Sequence, residues 1–376
     1  EVLQGLQAFH DEYIGYIESG ECYGTSGQKI PCVSMCPAHV DIPGYIAHVA
    51  DGNYDKAINL IRRDNPLPTA CAMICEHPCE DRCRRTLIDA PLNIRGVKKY
   101  AVDQISADKV EVPKPNPLTG KKVAIIGGGP CGMTAAYFLS LMGHKVTVYE
   151  AKERLGGMLM YGIPNYRLPK ERMDEDFRAI LSTGNIKVKY NTVVGKDISI
   201  RKVRESHDAM FVAIGAQVGK KLHIDGIDAD GVFSAVEMLD HIGHGERPDY
   251  EGKIIAVIGG GNVAMDAARS AVRCGAKEVH VIYRRRQEDM TALASEIEAA
   301  VAEGIELHLL QAPLRVEVDE NNKCTAVWVK PQMTGPYKEG RPTPLDNPSK
   351  PEMRVACDVV LNAVGQDVVS KPFDEA

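Results

Sequence analysis

Val123-Ala124-Ile125-Ile126-Gly127-Gly128-Gly129-Pro130-Cys131-Gly132 is the stretch that decides the fold. Four apolar residues read as a short buried strand, the glycines fit G-x-G-x-x-G, and a helix is expected straight after. Gly127 permits a tight turn, Gly129 lets backbone approach a pyrophosphate, and Gly132 lets the helix pack closely on the strand. Phosphates would sit at the helix N-terminus, where free N–H groups point outward. Lys145-Val146-Thr147-Val148-Tyr149-Glu150 reads as the next strand and ends in a carboxylate able to accept hydrogen bonds from a ribose. That acid favours an adenosine ribose without a 2′-phosphate, so FAD and NAD both fit. Arg154-Leu155-Gly156-Gly157-Met158 follows, and its glycine pair suits either close passage beside a large flat cofactor or an ordinary turn.

The pattern then repeats. Ile254-Ile255-Ala256-Val257-Ile258 runs into Gly259-Gly260-Gly261-Asn262-Val263-Ala264, a G-x-G-x-x-A turn, and Val279-His280-Val281-Ile282-Tyr283 is the strand beyond. Here Arg284, Arg285 and Arg286 stand where the first copy has its acid. A guanidinium can pair bidentately with a 2′-phosphate that a carboxylate would repel, so NADPH is favoured over NADH. The alternative is a solvated basic turn. Continuous apolar strands alternating with helices imply parallel sheets covered on both faces, and two such units imply two nucleotide sites.

Working outward, Val112-Pro113-Lys114-Pro115-Asn116-Pro117 cannot be helical and reads as a stiff connector and domain boundary. The region before it reads as short helices and loops. Seven of the eleven cysteines fall there: Cys22, Cys32, Cys36, Cys71, Cys75, Cys79 and Cys83. The last four recur at every fourth position, but Pro78 argues against one continuous helix, so thiolates are expected to hold a metal centre from loops. Zinc and inert buried thiols remain open. Iron–sulfur chemistry is favoured because a flavin on the same chain needs a one-electron outlet.

Composition narrows the class. The chain has 376 residues and a formal charge of −6, which gives no electrostatic reason to expect nucleic acid or an anionic membrane as partner. No apolar run approaches the roughly 20 residues of a membrane span. Glu1-Val2-Leu3-Gln4 opens polar sequence without a signal peptide, so a cytoplasmic location is expected. The absence of an initial Met raises the expectation of a longer parent protein. There is no catalytic triad, and acids such as Glu288-Asp289 look solvated. Cys131 and Cys274 stand alone with no C-x-x-C, which disfavours a dithiol route.

Five motifs together resemble the glutamate-synthase small-subunit-like flavoproteins. That family includes the N-terminal part of dihydropyrimidine dehydrogenase and the large subunit of NADH-dependent ferredoxin:NADP oxidoreductase. The motifs are Pro31-Cys32 to Cys36-Pro37 with Asp41-Ile42-Pro43; Cys75-Glu76-His77-Pro78-Cys79-Glu80 to Cys83-Arg84-Arg85; Gly162-Ile163-Pro164-Asn165-Tyr166-Arg167-Leu168-Pro169; Gly259 to Arg269; and Ala363-Val364-Gly365-Gln366. The resemblance implies an α/β fold in which an N-terminal all-α iron–sulfur domain precedes two Rossmann-like domains, the NAD(P)H domain inserted in the FAD domain. The expected bounds are 1–111 for the helical domain, 119–240 for the first FAD part, 241–366 for the NAD(P)H domain and 367–376 for a truncated return.

It further implies FAD contacts from Gly127, Gly128, Gly129, Pro130, Cys131, Gly132, Glu150, Gly157, Met158, Arg167 and the backbone near Val194. NADPH contacts would come from Gly260, Gly261, Asn262, Val263, Arg284, Arg285 and the Ala363-Val364-Gly365 turn, with NAD as the alternative nucleotide. The implied activity is hydride transfer between NAD(P)H and FAD, and passage of single electrons through one or two [4Fe-4S] clusters to a partner subunit or ferredoxin-type protein in a hetero-oligomer. Electron bifurcation is compatible with it. The rivals are a glutamate synthase small subunit and a non-catalytic electron-wiring subunit. Three departures bear on the sites. Only Cys22 stands upstream of Cys32, Lys98 occupies the position of a Gln or Glu ligand in relatives, and the chain stops before the family's later Gly-Asp segment. Cys71 is the residue that could replace the missing ligand beside Cys36, Cys75 and Cys79.

Overall fold

The computed structural model describes residues 30–374, so Cys22 lies outside the described residues. The chain divides into two compact units, one of residues up to 156 together with 167–213, the other of 157–166 together with 214 onward.

The first unit begins with short helices, Pro31–Met35, Ile42–Ala50, Tyr54–Asp64, Pro68–Ile74, Pro78–Asp81 and Ile94–Gln104. Proline opens four of them in the first two positions (Pro31, Pro43, Pro68 and Pro78), where its missing N–H costs nothing. Asp41 and Asn93 cap two starts by accepting from the amides of Gly44 and Gly96. Tyr45, fully buried, donates its hydroxyl to the Ile94 carbonyl at 3.0 Å and so joins the Ile42–Ala50 and Ile94–Gln104 helices. Arg62 is also buried. It donates to the carbonyls of Val110 and Ala107, which satisfies a charge that would otherwise be costly and ties the approach to the proline connector against the Tyr54–Asp64 helix.

The same unit continues as a four-stranded sheet of β1 (Lys122–Ile126), β2 (Lys145–Tyr149), β3 (Ile186–Lys189) and β4 (Ala209–Val212), ordered β3-β2-β1-β4 and parallel throughout. Asp176, on the Lys170–Leu181 helix and fully buried, accepts from the amides of Thr69 and Ala70. It therefore caps the Pro68–Ile74 helix from a distant part of the chain, and the helical region and this sheet form one unit.

The second unit carries β5 (Val218–Gly219), β6 (Val232–Ser234), β7 (Ile254–Ile258), β8 (Glu278–Tyr283), β9 (Glu306–Leu309), β10 (Gln311–Val318), β11 (Cys324–Lys338), β12 (Arg341–Asp346), β13 (Met353–Ala356), β14 (Val359–Asn362) and β15 (Gln366–Asp367). Its main sheet is parallel and ordered β6-β14-β7-β8-β9, so β14, from near the end of the chain, inserts beside β7. Strands β10 to β13 form an antiparallel sheet between β9 and β14. The sequence reading drew a boundary at 240/241. Because β6 pairs with β14 and the Ala235–Gly243 helix packs in the second unit's core, the structure instead groups residues from 214 onward with the second unit.

Burial raises the carboxyl of Asp176 to about 7, with its amide donors and Arg62 opposing. Its folded-state pKa lies above the ordinary aspartate value, so the native state holds the extra proton between about pH 4 and 7, and stability falls as pH rises through that window. Asp176→Asn is expected to flatten this slope in urea unfolding measured at several pH values. Asp176→Ala, which orphans two buried amides, should cost about 1–3 kcal/mol.

Candidate dinucleotide and iron–sulfur sites

At the first turn, β1 ends at Ile126, the Pro130–Leu141 helix begins with Pro130, and Gly129 is its extended N-cap. A Cβ on Gly132 would lie 1.9 Å from the Gly127 carbonyl oxygen, so only glycine lets the helix meet the turn. Glu150 is buried. One carboxylate oxygen accepts from the Gly128 amide at 2.7 Å and the other from the Lys152 amide at 2.8 Å. Each oxygen keeps a lone pair for a ribose hydroxyl. Gly156 donates to the Gly128 carbonyl, and both Gly156 and Gly157 have positive φ. The pair is thus a backbone requirement and not an incidental turn.

Cys131 is exposed at the start of the helix. Arg167 is half-buried and Val194 is buried, both in the first unit, whereas Gly157 and Met158 belong to the second. Within the first unit, Gly127, Gly128, Gly129, Pro130 and Gly132 form a narrow glycine turn with the Glu150 carboxylate held against it.

The second turn repeats the design. A Cβ on Gly259 would meet the Ala363 carbonyl oxygen at 2.5 Å, so the insertion of β14 is what brings the Ala363-Val364-Gly365 turn against the glycine loop. Gly260 lies against the Tyr283 ring, and its carbonyl accepts from the amides of Thr291 and Ala292. Asn262 opens the Asn262–Arg273 helix and accepts from the Leu293 amide. The three arginines separate by role. Arg286 is engaged with Asp289, Glu288 and the Tyr337 hydroxyl. Arg285 gives only Nε, to the Pro342 carbonyl. Arg284 is exposed and has no ion pair among the described residues. Arg284 and the Arg285 guanidinium terminus are therefore the two of the three that carry no ion pair among the described residues.

The cysteines occupy helix ends and not one helical stripe. The Pro68–Ile74 helix carries Cys71 and stops at Ile74, Cys75 caps its C-terminus, and His77, at φ 43°, turns the chain into the Pro78–Asp81 helix that carries Cys79. Cys32 lies in the Pro31–Met35 helix with Cys36 at its cap, and Cys83 precedes the Arg84–Leu87 turn. All six are free thiols. The sulfurs of Cys75 and Cys83 accept from the amides of His77 and Leu92. Lys98, buried, donates from Nζ to the Cys71 sulfur at 3.2 Å. The Cys71 thiol is lowered to about 5, first by a hydrogen bond from Cys75 and then by the Lys98 charge. Burial pushes Cys32 and Cys79 up to about 11. Tyr45 is driven far above the usual phenol range by burial and by the nearby Cys79, Cys71, Cys32 and Cys36.

A tetrahedral zinc with bonds of about 2.3 Å would hold its sulfurs about 3.8 Å apart. Among the described residues no three cysteines lie within 4.8 Å of one another. In any set of three, then, at least one sulfur pair is wider than one tetrahedral zinc would impose, whereas the thiolates of an iron–sulfur cluster bind separate irons. Free thiols converging on one buried lysine fit the need of such a cluster for anionic sulfur offset by positive charge.

Tyr166 is the functional-region residue that spacing alone does not reveal. The cations of Arg269 and Arg273 lie 4.7 and 4.0 Å from its ring centre, and both arginines are held by Glu303. This contact and the stacking of Tyr161 on His244 both join the segment of residues 157–166 to the rest of the second unit.

The two parallel sheets with glycine turns define a dinucleotide-dependent oxidoreductase. Residues 121–376 match the pyridine nucleotide-disulphide oxidoreductase family, and residues 11–110 match dihydropyrimidine dehydrogenase domain II, 4Fe-4S cluster. The chain belongs to the pyridine nucleotide-disulphide oxidoreductase family and carries a 4Fe-4S domain in its N-terminal region. It is 39 % identical over 360 residues to the NADP(+)-dependent formate dehydrogenase subunit beta of Moorella thermoacetica, covering 89 % of this chain and 51 % of that one. It is 37 % identical to the NADPH-Fe(3+) oxidoreductase subunit beta of Geobacter sulfurreducens, covering 97 % and 56 %. Against the glutamate synthase [NADPH] small chain of Escherichia coli the identity is 34 %, covering 82 % and 68 %. The chain thus spans about half the length of the first two relatives. Among solved structures, FprA of Mycobacterium tuberculosis in complex with NADPH has the same fold, with a TM-score of 0.58 at 20 % identity over 69 % of this chain and 73 % of that one. No helix among the described residues is long and apolar enough to cross a membrane.

Gly132→Ala is expected to displace the first turn, because the contact it creates is with backbone and not with a yielding side chain. The flavin-to-protein ratio of the purified protein should fall severalfold; an unchanged ratio would remove Gly132 from the FAD site.

Proposed function

We propose that this chain is the NADPH-handling electron module of a cytoplasmic hetero-oligomer, in which a partner subunit sets the final substrate. The observation that carries this reading is the opposite charge at the two equivalent turns: a buried carboxylate, Glu150, after β2, and free guanidinium, Arg284, after β8. Glu150 would hold the ribose of FAD and reject a 2′-phosphate. Arg284 and Arg285 would hold the 2′-phosphate of NADPH and give NADH less. The flavin, when bound, supplies the conversion between two-electron and one-electron chemistry. The protein's own part is to orient both nucleotides through backbone amides and to keep charge compensated around the thiolates. Relatives whose names differ in the reaction, formate, Fe(3+) and glutamate chemistry, share this portion, which supports a common electron-entry role with a variable partner.

For the metal, Cys36, Cys71, Cys75 and Cys79 form the ligand set grouped around Lys98, and Cys32 and Cys83 belong to a second set with Cys22. Lys98 is a positioning residue: its ammonium, 3.2 Å from the Cys71 sulfur, would stabilise added negative charge and raise the midpoint potential.

Arg284→Ala and Arg285→Ala should each weaken NADPH binding at least about tenfold and NADH binding little, as one bidentate charged contact is lost. Equal losses for both nucleotides in equilibrium titrations would reject the 2′-phosphate assignment. Arg286→Ala should instead lower thermal stability without changing the NADPH-to-NADH ratio. Cys71→Ser is expected to reduce bound iron or alter the EPR spectrum of the dithionite-reduced protein, and Lys98→Met to lower the cluster potential with iron retained. An unchanged spectrum and iron content in Cys71→Ser would remove Cys71 from the ligand set.

A further inference from the structure

His280, Glu306 and His308 form a cluster that the nucleotide chemistry does not use. β8 and β9 run parallel with His280 opposite Glu306 and Ile282 opposite His308. Side chains alternate along a strand, so these three share one face of the sheet. The other face carries Val279, Val281, Leu307 and Leu309, which pack on the core of the helical side. The shared face is that of Ile282, which packs on Val316, Val327 and Val329 of the antiparallel sheet. Both imidazoles are thus pressed into a half-buried niche, with 14 % and 18 % of their side chains exposed.

The donor atoms converge. His308 Nε2 lies 3.0 Å from His280 Nδ1, Glu306 Oε2 lies 3.4 Å from His280 Nδ1, and Glu306 Oε1 lies 3.6 Å from His308 Nε2. A tetrahedral ion with bonds of about 2.0–2.1 Å to nitrogen and oxygen sets its ligand atoms about 3.3 Å apart. The three observed separations bracket that value. The other nitrogen of His280 has a carboxylate nearby, Glu278 Oε2 at 3.8 Å from Nε2, which is outside hydrogen-bond distance.

We propose that His280, His308 and Glu306 form a binding site for a divalent first-row transition ion of the zinc class, separate from the cysteine region and the nucleotide turns. Two imidazoles and a carboxylate are a zinc donor set, and the exposed side of Glu306 leaves the fourth position to water. The ion would fasten β9, the edge strand of the sheet, to β8. Its role is structural: it adds binding free energy to the folded state of the second unit.

The test uses the protein with its flavin and iron in place. The protein is equilibrated anaerobically with a small excess of zinc chloride, passed through gel filtration, and analysed by mass spectrometry of metals and zinc K-edge X-ray absorption. The expected result is about one retained zinc per chain, with nitrogen and oxygen neighbours near 2.0 Å and no sulfur near 2.3 Å. His308→Gln and Glu306→Gln should each weaken retention at least about tenfold while flavin and iron content stay unchanged. Glu306 is exposed, so its substitution tests the site even if His308→Gln fails to fold. No retained zinc, a sulfur-ligated zinc, or retention undiminished by Glu306→Gln would each overturn the proposal and leave only a hydrogen-bonded histidine pair.

Discussion

The Gly128 amide donates to the buried Glu150 carboxylate at 2.7 Å, and much of the first nucleotide region depends on that contact. It pins the end of β2 to the glycine turn after β1, so the acid and the helix N-terminus face the same place. Neither partner can be moved cheaply. A Cβ at Gly128 would lie 2.8 Å from Glu150 Oε2 and 2.5 Å from Leu155, and one at Gly132 would strike backbone. The second unit reuses the geometry with the sign reversed. Its second strand ends in Tyr283, which packs on Gly260, and the next residue is a free arginine. One fold repeated with opposite charge can hold two different dinucleotides, because the ribose 2′-position is where FAD and NADPH differ most in charge.

Periodicity and glycine spacing made the two βαβ units readable, since a buried parallel strand followed by a phosphate turn is a local pattern. The break at Pro78 was readable for the same reason, and the helix does stop before it. What local sequence could not carry was long-range pairing. β14, distant in sequence, pairs with both β7 and β6, and the β6 pairing is what ties residues before 240 to the second unit. Asp176 caps a helix more than a hundred positions earlier, and nothing in its own neighbourhood announces that role. Tyr166 reads as part of a motif, but its ring packs against the guanidinium groups of Arg269 and Arg273, which Glu303 also holds. His280 and His308 sit on different strands, so only register brings them together.

The lysine among the thiols changes how the iron–sulfur region is understood. From sequence, Lys98 is a loss, since an ammonium cannot replace a Gln or Glu ligand. In the structure it is buried against Cys71, and the Cys71 thiol is lowered by Cys75 and by this charge. A fourth thiolate adds negative charge to the site, and a buried ammonium beside it offsets that charge. In the proposed ligand set the Lys98 ammonium would therefore offset the charge that Cys71 adds. In the proposed assignment Cys32 and Cys83 would belong to the other ligand set, with Cys22 outside the described residues.

The central claim is that reducing equivalents enter from NADPH and reach iron on this chain. Its most direct test is stepwise anaerobic addition of NADPH to the full-length protein, following flavin absorbance and low-temperature EPR in the same samples. The account predicts loss of oxidised flavin absorbance, followed by signals from reduced [4Fe-4S] centres, at NADPH concentrations well below those at which NADH acts. Flavin that stays oxidised with either nucleotide, in protein loaded with FAD and iron, would contradict it.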